Sequence, residues 1–251
     1  MVISAAAFAK LTKRLRDIRT AASQAVMDYI NKTGVEKYIL EGYDMTPLIE
    51  HLYGIATKYG EASGALSAEL YDAIAQMSGV SVPQAVIAPT PSYREIAKTV
   101  FGVRKQSKRP DMVADAIGRQ VKKVGADTML RNAARDNAQF AWIPQGDTCA
   151  FCIMLASNGW QNARADTHAD HIHANCDCEY CVRFDKKTEV RGYDPTRYRE
   201  IYDGAQGDTW EEKLNSMRRA AYAENKDEIN AQKRDAYALR KEESEAEEIE
   251  V

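Results

Sequence analysis

No apolar run in this sequence approaches the roughly 20 residues that a helix needs to cross a bilayer. The reading therefore assigns no membrane contact. Histidine is scarce, with four in 251 residues. No H-E-x-x-H pairs two of them on one helical face, so the usual zinc-protease signature is missing. No G-x-S-x-G supports a serine nucleophile. No excess of charge of either sign exists: 34 Lys and Arg against 37 Asp and Glu leave a net charge of −3. That balance gives no global attraction to nucleic acid or to an anionic membrane. A convincing internal repeat is also lacking.

A secretory leader is not expected either. The opening Met1-Val-Ile-Ser-Ala-Ala-Ala-Phe-Ala is short and apolar, and basic residues follow it rather than precede it. That is the wrong order for a signal peptide. The expectation is a chain kept in a reducing cytoplasm, or released without secretion. There, clustered thiols favour metal over disulfides. The five cysteines are an odd number and cannot all pair within one chain.

What is present is ordinary soluble-protein composition, 45% hydrophobic and 28% charged. A chain of this length suits one large domain or two small ones. Folding would bury roughly 70–75% of its extended surface. Phe8, Leu11, Leu15, Ile18, Ala22, Ala25 and Tyr29 recur at spacings of three and four, one face of an amphipathic helix. Lys10, Lys13, Arg14, Arg16 and Arg19 crowd the rest of it and read as a solvated face. A docking surface for an acidic partner or DNA phosphates is the alternative, but no aromatic interleaving accompanies the charges.

A second stripe runs through Leu48, Leu52, Ile55, Tyr59, Ala62, Leu66, Leu70, Ile74 and Met77, with Thr46-Pro47 as N-cap and first turn. Gly54, Gly60 and Gly64 weaken that helix, and a break near Ser63-Gly64 is predicted. His51 lies on it alone and reads as a surface or packing histidine. Residues 79–92, with three prolines, read as an extended connection. A short helix over Tyr93–Phe101, a basic loop over Arg104–Pro110 and a long helix from Asp111 to about Asn137 follow. Thr209 is predicted to cap a helix carrying Trp210, Leu214, Met217 and Ala221. The stretch Glu224–Arg240 reads as a solvated or partner-bound helix, followed by a charge-rich tail.

All five cysteines and three of the four histidines lie between residues 149 and 181. The stretch opens with Cys149-Ala-Phe-Cys152 and closes with His171-Ile-His173-Ala-Asn-Cys176-Asp-Cys178-Glu-Tyr-Cys181. Zn²⁺ takes thiolate and imidazole ligands and is four-coordinate in structural sites. A C-x-x-C at a tight turn delivers two thiolates to one point, and a second short cluster about 20 residues later closes the tetrahedron. The preferred set is Cys149, Cys152, His173 and Cys178, with Cys176, His171 and Cys181 in reserve. In C-x-C the two thiolates alternate sides on an extended strand, so both bind only if the segment curls.

Such a closed, thiolate-rich site leaves no position for water, which favours a structural staple over catalysis. No catalytic residue is assigned. Asp170-His171-Ile172 resembles the first part of an HNH nuclease motif, but no histidine follows His173 to serve as the second metal ligand. A third option, a nucleic-acid-binding module, requires Arg104–Arg109 and Lys122-Lys123 to form one basic patch.

The run Trp142-Ile-Pro-Gln-Gly-Asp-Thr-Cys-Ala-Phe-Cys-Ile-Met-Leu-Ala-Ser-Asn-Gly159, followed by His173-Ala-Asn-Cys-Asp-Cys178, resembles tailed-phage head proteins. It is similar to the Mu F-like minor head proteins and to a related group labelled capsid maturation proteases. The likeness covers about residues 135–185, and Cys149, Cys152, His173, Cys176 and Cys178 match position by position. It implies a low-copy, structural head protein, assembled in the host cytoplasm and carried in the virion. The implied partners are the portal and/or major capsid protein, with packaged DNA as a further contact. Cys181 and the acidic tail lie outside the matched pattern. The alternative is a zinc-dependent phage enzyme, a maturation protease or an HNH-like nuclease.

The expected fold is mainly α: a helical N-terminal region, a small zinc-stapled α+β module and a C-terminal charged helix. The expected divisions are residues 1–82, a helical region; 83–139, a linker and long helix; 140–190, the Cys/His module; and 191–251, C-terminal helices and acidic tail.

Overall fold

The computed structural model describes residues 2–3, 5–34, 44–107, 109–145, 148–169, 172, 176–227 and 230. The chain is mainly α, as expected. In order it forms β1 (Val2–Ile3), α1 (Ala5–Thr33), α2 (Thr46–Met77), α3 (Tyr93–Gln106), α4 (Pro110–Arg135), β2 (Gln139–Ile143), α5 (Ala150–Ser157), β3 (Gln161–Asn162), β4 (Glu179–Arg183), β5 (Glu189–Val190), α6 (Pro195–Gly204) and α7 (Trp210–Glu224). Among the described residues, no helix is long and apolar enough to cross a membrane.

α4 is the central element. It packs against α1, α2 and α3 and also against β2 and β4. Its buried residues occupy most of its circumference, from Val113 to Ala133. The helix runs Pro110–Arg135, close to the predicted span, with proline in the first turn where its missing N–H costs nothing.

The buried line of α1 differs from the predicted one. The fully buried residues are Phe8, Thr12, Leu15, Arg19, Ala22, Val26 and Ile30. Leu11, Ile18, Ala25 and Tyr29 are half-buried at its edge. The face is turned by about one residue, and it carries a threonine and an arginine into the interior. Arg19 can be there because it finds partners, described below.

α2 runs unbroken from Thr46 to Met77, so the predicted break at Ser63-Gly64 does not occur. Small residues at this point bring two helices together. A Cβ on Gly125 of α4 would lie 2.6 Å from Ser63 Oγ and 2.8 Å from Ser67 Oγ. A Cβ on Gly64 would lie 3.2 Å from a Val124 methyl carbon. The glycines are therefore sites of close approach between α2 and α4. The N-cap is Met45, with no side-chain bond, and Asp44 Oδ1 instead accepts from Thr46 N at 2.9 Å. Ala62 and Met77, placed on the predicted stripe, are exposed. His51 stacks on Tyr29, centroids 3.7 Å apart, a packing role.

Residues 79–92 are the extended connection expected. Side chains hold it on the helices: Ala85 N donates to Asp72 Oδ1, and Ala88 N to Thr128 Oγ1. The Asn132 amide accepts from Val86 N at 2.9 Å and donates to Val86 O at 2.8 Å, as a neighbouring strand would. α3 starts with a Ser92–Glu95 capping box and continues to Gln106. The predicted basic loop is thus partly its last turn, where Arg104 and Lys105 meet the negative end of the helix dipole.

β2 was not foreseen. It centres an antiparallel sheet of order β3-β2-β4, with Ala141 opposite Cys181 and Ile143 opposite Glu179. β1 pairs in parallel with β5, joining residues 2–3 to 189–190. α5 has Cys149 as its N-cap, α6 has Asp194 as its N-cap with Pro195 in its first turn, and α7 is capped by Thr209, as predicted, with Glu212 completing a capping box. The Glu224–Arg240 helix and the tail lie mostly outside the described residues.

Candidate metal centre

The two halves of the cysteine motif arrive on different supports. Cys149 is the N-cap of α5 and is exposed; Cys152, one turn later, is buried. Cys176 and Cys178 stand on the segment that leads into β4. Their sulfurs meet those of α5: Cys152 Sγ and Cys176 Sγ are 3.1 Å apart. The sulfurs of Cys152, Cys176 and Cys178 all lie within 4.8 Å of one another. The side chain of Cys149 contacts those of Cys152 and Cys176.

The C-x-C does curl. Cys178 N donates to Cys176 Sγ at 3.4 Å, which turns both sulfurs to one side. Cys176, held in reserve on strand alternation, is therefore part of the cluster. Cys181 is not: it lies in β4, fully buried in the other core cluster with Val182 and Ala141. Burial pushes its thiol up to about 12. His171 and His173 lie outside the described residues.

The donor set fits a soft metal ion. Tetrahedral geometry with Zn–S of about 2.3 Å separates two thiolates by about 3.8 Å. Three sulfurs within 4.8 Å are on that scale, and the cluster could hold an ion. The thiols also share protons unequally. Contacts with Cys149, Cys176 and Cys178 push Cys152 up. Contacts with Cys149 and Cys152 bring Cys176 down. Contacts with Cys152 and Cys176, the Gln145 backbone and the nearby Lys122 charge bring Cys178 down to about 4. Crowded sulfurs of this kind are stabilised as anions by a cation, a shared proton or hydrogen-bond donors.

Around the sulfurs lies a charged frame that the sequence reading missed. Lys122 of α4 is 4% exposed. Its Nζ donates to Cys176 O at 2.5 Å, lies 3.6 Å from Glu179 Oε1 and sits 5.3 Å from the Trp142 ring centroid. Arg19 Nη1 donates to the same Cys176 carbonyl at 2.7 Å, and its Nη2 lies 3.1 Å from Asp177 Oδ1. Arg16 Nη1 takes the other Asp177 oxygen at 2.6 Å. Burial raises the Asp177 carboxyl, and the two arginines more than offset that, leaving it below its ordinary value. Burial raises Glu179, with Lys122 and Arg19 opposing.

Two expectations about basic residues change as a result. Arg16 and Arg19 are not a solvated face of α1 but clasp the cysteine segment. Lys122 is buried, so it cannot join Arg104–Arg109 in a phosphate-binding patch. A lysine set among Val121, Val124 and Ile117 on α4 was the available signal. His168 is exposed and lines a separate polar cleft of about 310 Å³ with Glu95, Lys123, Asp127 and Arg131.

A helical assembly centred on α4, with a cysteine clasp gripped by α1 and α4, defines the class of protein. The chain belongs to the VG15 protein family, whose model matches residues 2–205. That is a family of viral (phage) proteins. Neither a curated protein nor a solved structure matches.

Proposed function

We propose that this chain is a minor head protein of a tailed phage, Mu F-like in kind, which acts structurally in head assembly and carries a structural Zn²⁺. The convergence of Cys152, Cys176 and Cys178 in a buried pocket carries the reading. Its ligands are drawn from Cys149, Cys152, His173, Cys176 and Cys178, of which four fill a tetrahedron. Cys149 touches two of the three converging residues, which makes it a fitting fourth. Thiolate-rich sets of this kind suit zinc. The phage family supports the viral setting, and the likeness of residues 142–178 to Mu F-like proteins supports the head role. The partners are the portal and/or major capsid protein, with packaged DNA as a further contact, and the protein resides in the virion head.

The test has two arms. Protein purified without added metal is expected to contain one zinc per chain by elemental analysis. Cys152→Ser loses it, whereas Cys181→Ala keeps it. In infected cells the chain is expected to sediment with heads. Folded protein without metal would sink the zinc assignment, and a chain found only free of particles would sink the head role. Chelator-sensitive cleavage of DNA or of procapsid protein would move the reading to an enzyme.

A further inference from the structure

The charged frame around the sulfurs is unbalanced. Among the described residues, Arg16, Arg19 and Lys122 form ion pairs with Asp177 and Glu179. Three cations against two anions leave one positive charge over within this network. Lys122 and Glu179 are both buried, with side chains 3% and 8% exposed. Arg16 shares the surplus charge with solvent, its side chain being 42% exposed, while the two buried cations, Lys122 and Arg19, lie against Cys176. The neighbouring anion is the sulfur cluster. One Zn²⁺ with four thiolates carries a net charge of −2, and with three thiolates and an imidazole −1.

The same cations also hold the backbone. Lys122 Nζ and Arg19 Nη1 converge on the carbonyl of Cys176, from two different helices, at 2.5 and 2.7 Å. Two donors at one carbonyl fix the peptide that connects Cys176 to Asp177, and hence the turn that brings Cys178 round to the same side.

We propose that Lys122 and Arg19 are positioning residues of the metal centre, two buried cations that hold the Cys176 carbonyl and offset the negative charge of the metal-bound thiolates. This rests on the reading that the cluster binds zinc. Residues of this outer kind typically change metal affinity 10–100-fold when removed.

The experiment uses the full chain. Lys122→Met alone leaves Glu179 buried without a partner and is prone to misfold. The double variant Lys122→Met/Glu179→Gln removes both charges and avoids that cost. Arg19→Gln, which leaves Asp177 paired with Arg16, is a second variant. Zn²⁺ affinity is read by competition with a chromophoric chelator, and the Co²⁺-loaded forms are compared by their thiolate-to-cobalt absorption band. Circular dichroism reports the fold. The expected result is a folded double variant with Zn²⁺ binding about 10–100-fold weaker and a shifted cobalt band, and Arg19→Gln weakened in the same direction. The band is the readout that mere packing would not move. Wild-type affinity in both variants overturns the proposal, as does weaker binding with an unshifted band. If the wild-type chain itself takes no Zn²⁺, the zinc reading falls as well, which separates the two failures.

Discussion

Asp136 shows how one carboxylate ties the end of α4 to α2. It follows the last residue of α4, just before β2, with its side chain 4% exposed. Arg135 Nη2 lies 2.6 Å from Oδ2, and the Tyr71 hydroxyl lies 2.8 Å from the same oxygen. Burial raises the Asp136 carboxyl; the bonds from Arg135 and Tyr71 outweigh it and leave the group below its ordinary value. A folded value below the unfolded one means that the carboxylate adds stability at neutral pH. That contribution is complete above the unfolded value of about 4 and is lost as pH falls through the folded value. Asp136→Asn is therefore expected to lower stability at pH 7 by about 1–3 kcal/mol in urea titrations, with the gap to wild type narrowing below pH 4. An equal gap at pH 7 and pH 3 would show that the tie is not proton-linked. At this scale the sequence was informative about where the sulfurs gather, because C-x-x-C and C-x-C spacings follow from ligand geometry. It said less about which cysteine is left out, since Cys181 is turned into another core cluster by the pairing of β4 with β2, a tertiary outcome. Lys122 and Arg19 were hidden for the same reason: their partners lie at least 54 residues away in the chain.

At the scale of elements, the helices were legible because their apolar period survives in the fold. Their small residues were misread. Gly64 was taken as a weak point, yet α2 is continuous there and glycine serves contact. The closest approach between α2 and α4 is at Gly125 of α4, where an added Cβ would meet Ser63 Oγ at 2.6 Å and Ser63 O at 3.3 Å. Gly54, on α2, has nothing within 4 Å of its added Cβ. The two sites therefore oppose each other in a substitution test. Gly125→Ala must push the α2 backbone or two serines aside and is expected to cost about 1–3 kcal/mol. Gly54→Ala meets no atom and is expected to gain up to about 1 kcal/mol from helix propensity. Chemical denaturation of the two variants checks both signs, and a neutral Gly125→Ala would remove the close-packing account of the α2–α4 contact. β2 escaped sequence reading for a different reason. Ala141, Trp142 and Ile143 are all buried, so the strand shows no alternation of apolar and polar residues. β1 and β5 are two residues each and pair across the whole length between them, which no local pattern reveals.

At the scale of the molecule, the cysteine segment is bound to the helical part by charge as well as by apolar packing. Residues 176–179 are held by Arg16 and Arg19 from α1 and by Lys122 from α4. Cys152, Cys176 and Cys178 share a core cluster with Ala126 and Leu130 of α4 and with Trp142 of β2. An ion held by these sulfurs would thus lock a loop that two long helices already grip. The ion's binding energy, on the order of 10 kcal/mol in small zinc peptides, would be shared with the helices rather than confined to the loop. Removing the metal with a chelator is then expected to lower the thermal midpoint of the whole chain. It should also speed amide hydrogen exchange in α1 around Arg16–Arg19 and in α4 around Lys122, together with residues 148–183. Restoring Zn²⁺ should reverse both effects. The comparison that matters is spatial: α3 packs on α2 and α4 in a core cluster that contains no cysteine among the described residues, so it is the internal reference. Faster exchange limited to the cysteine segment, with α1 and α4 no different from α3, would mean that the clasp hangs on the helices without supporting them. Faster exchange along the α1 and α4 contact residues would instead show that the ion stabilises the helical assembly through the Cys176 carbonyl and Asp177.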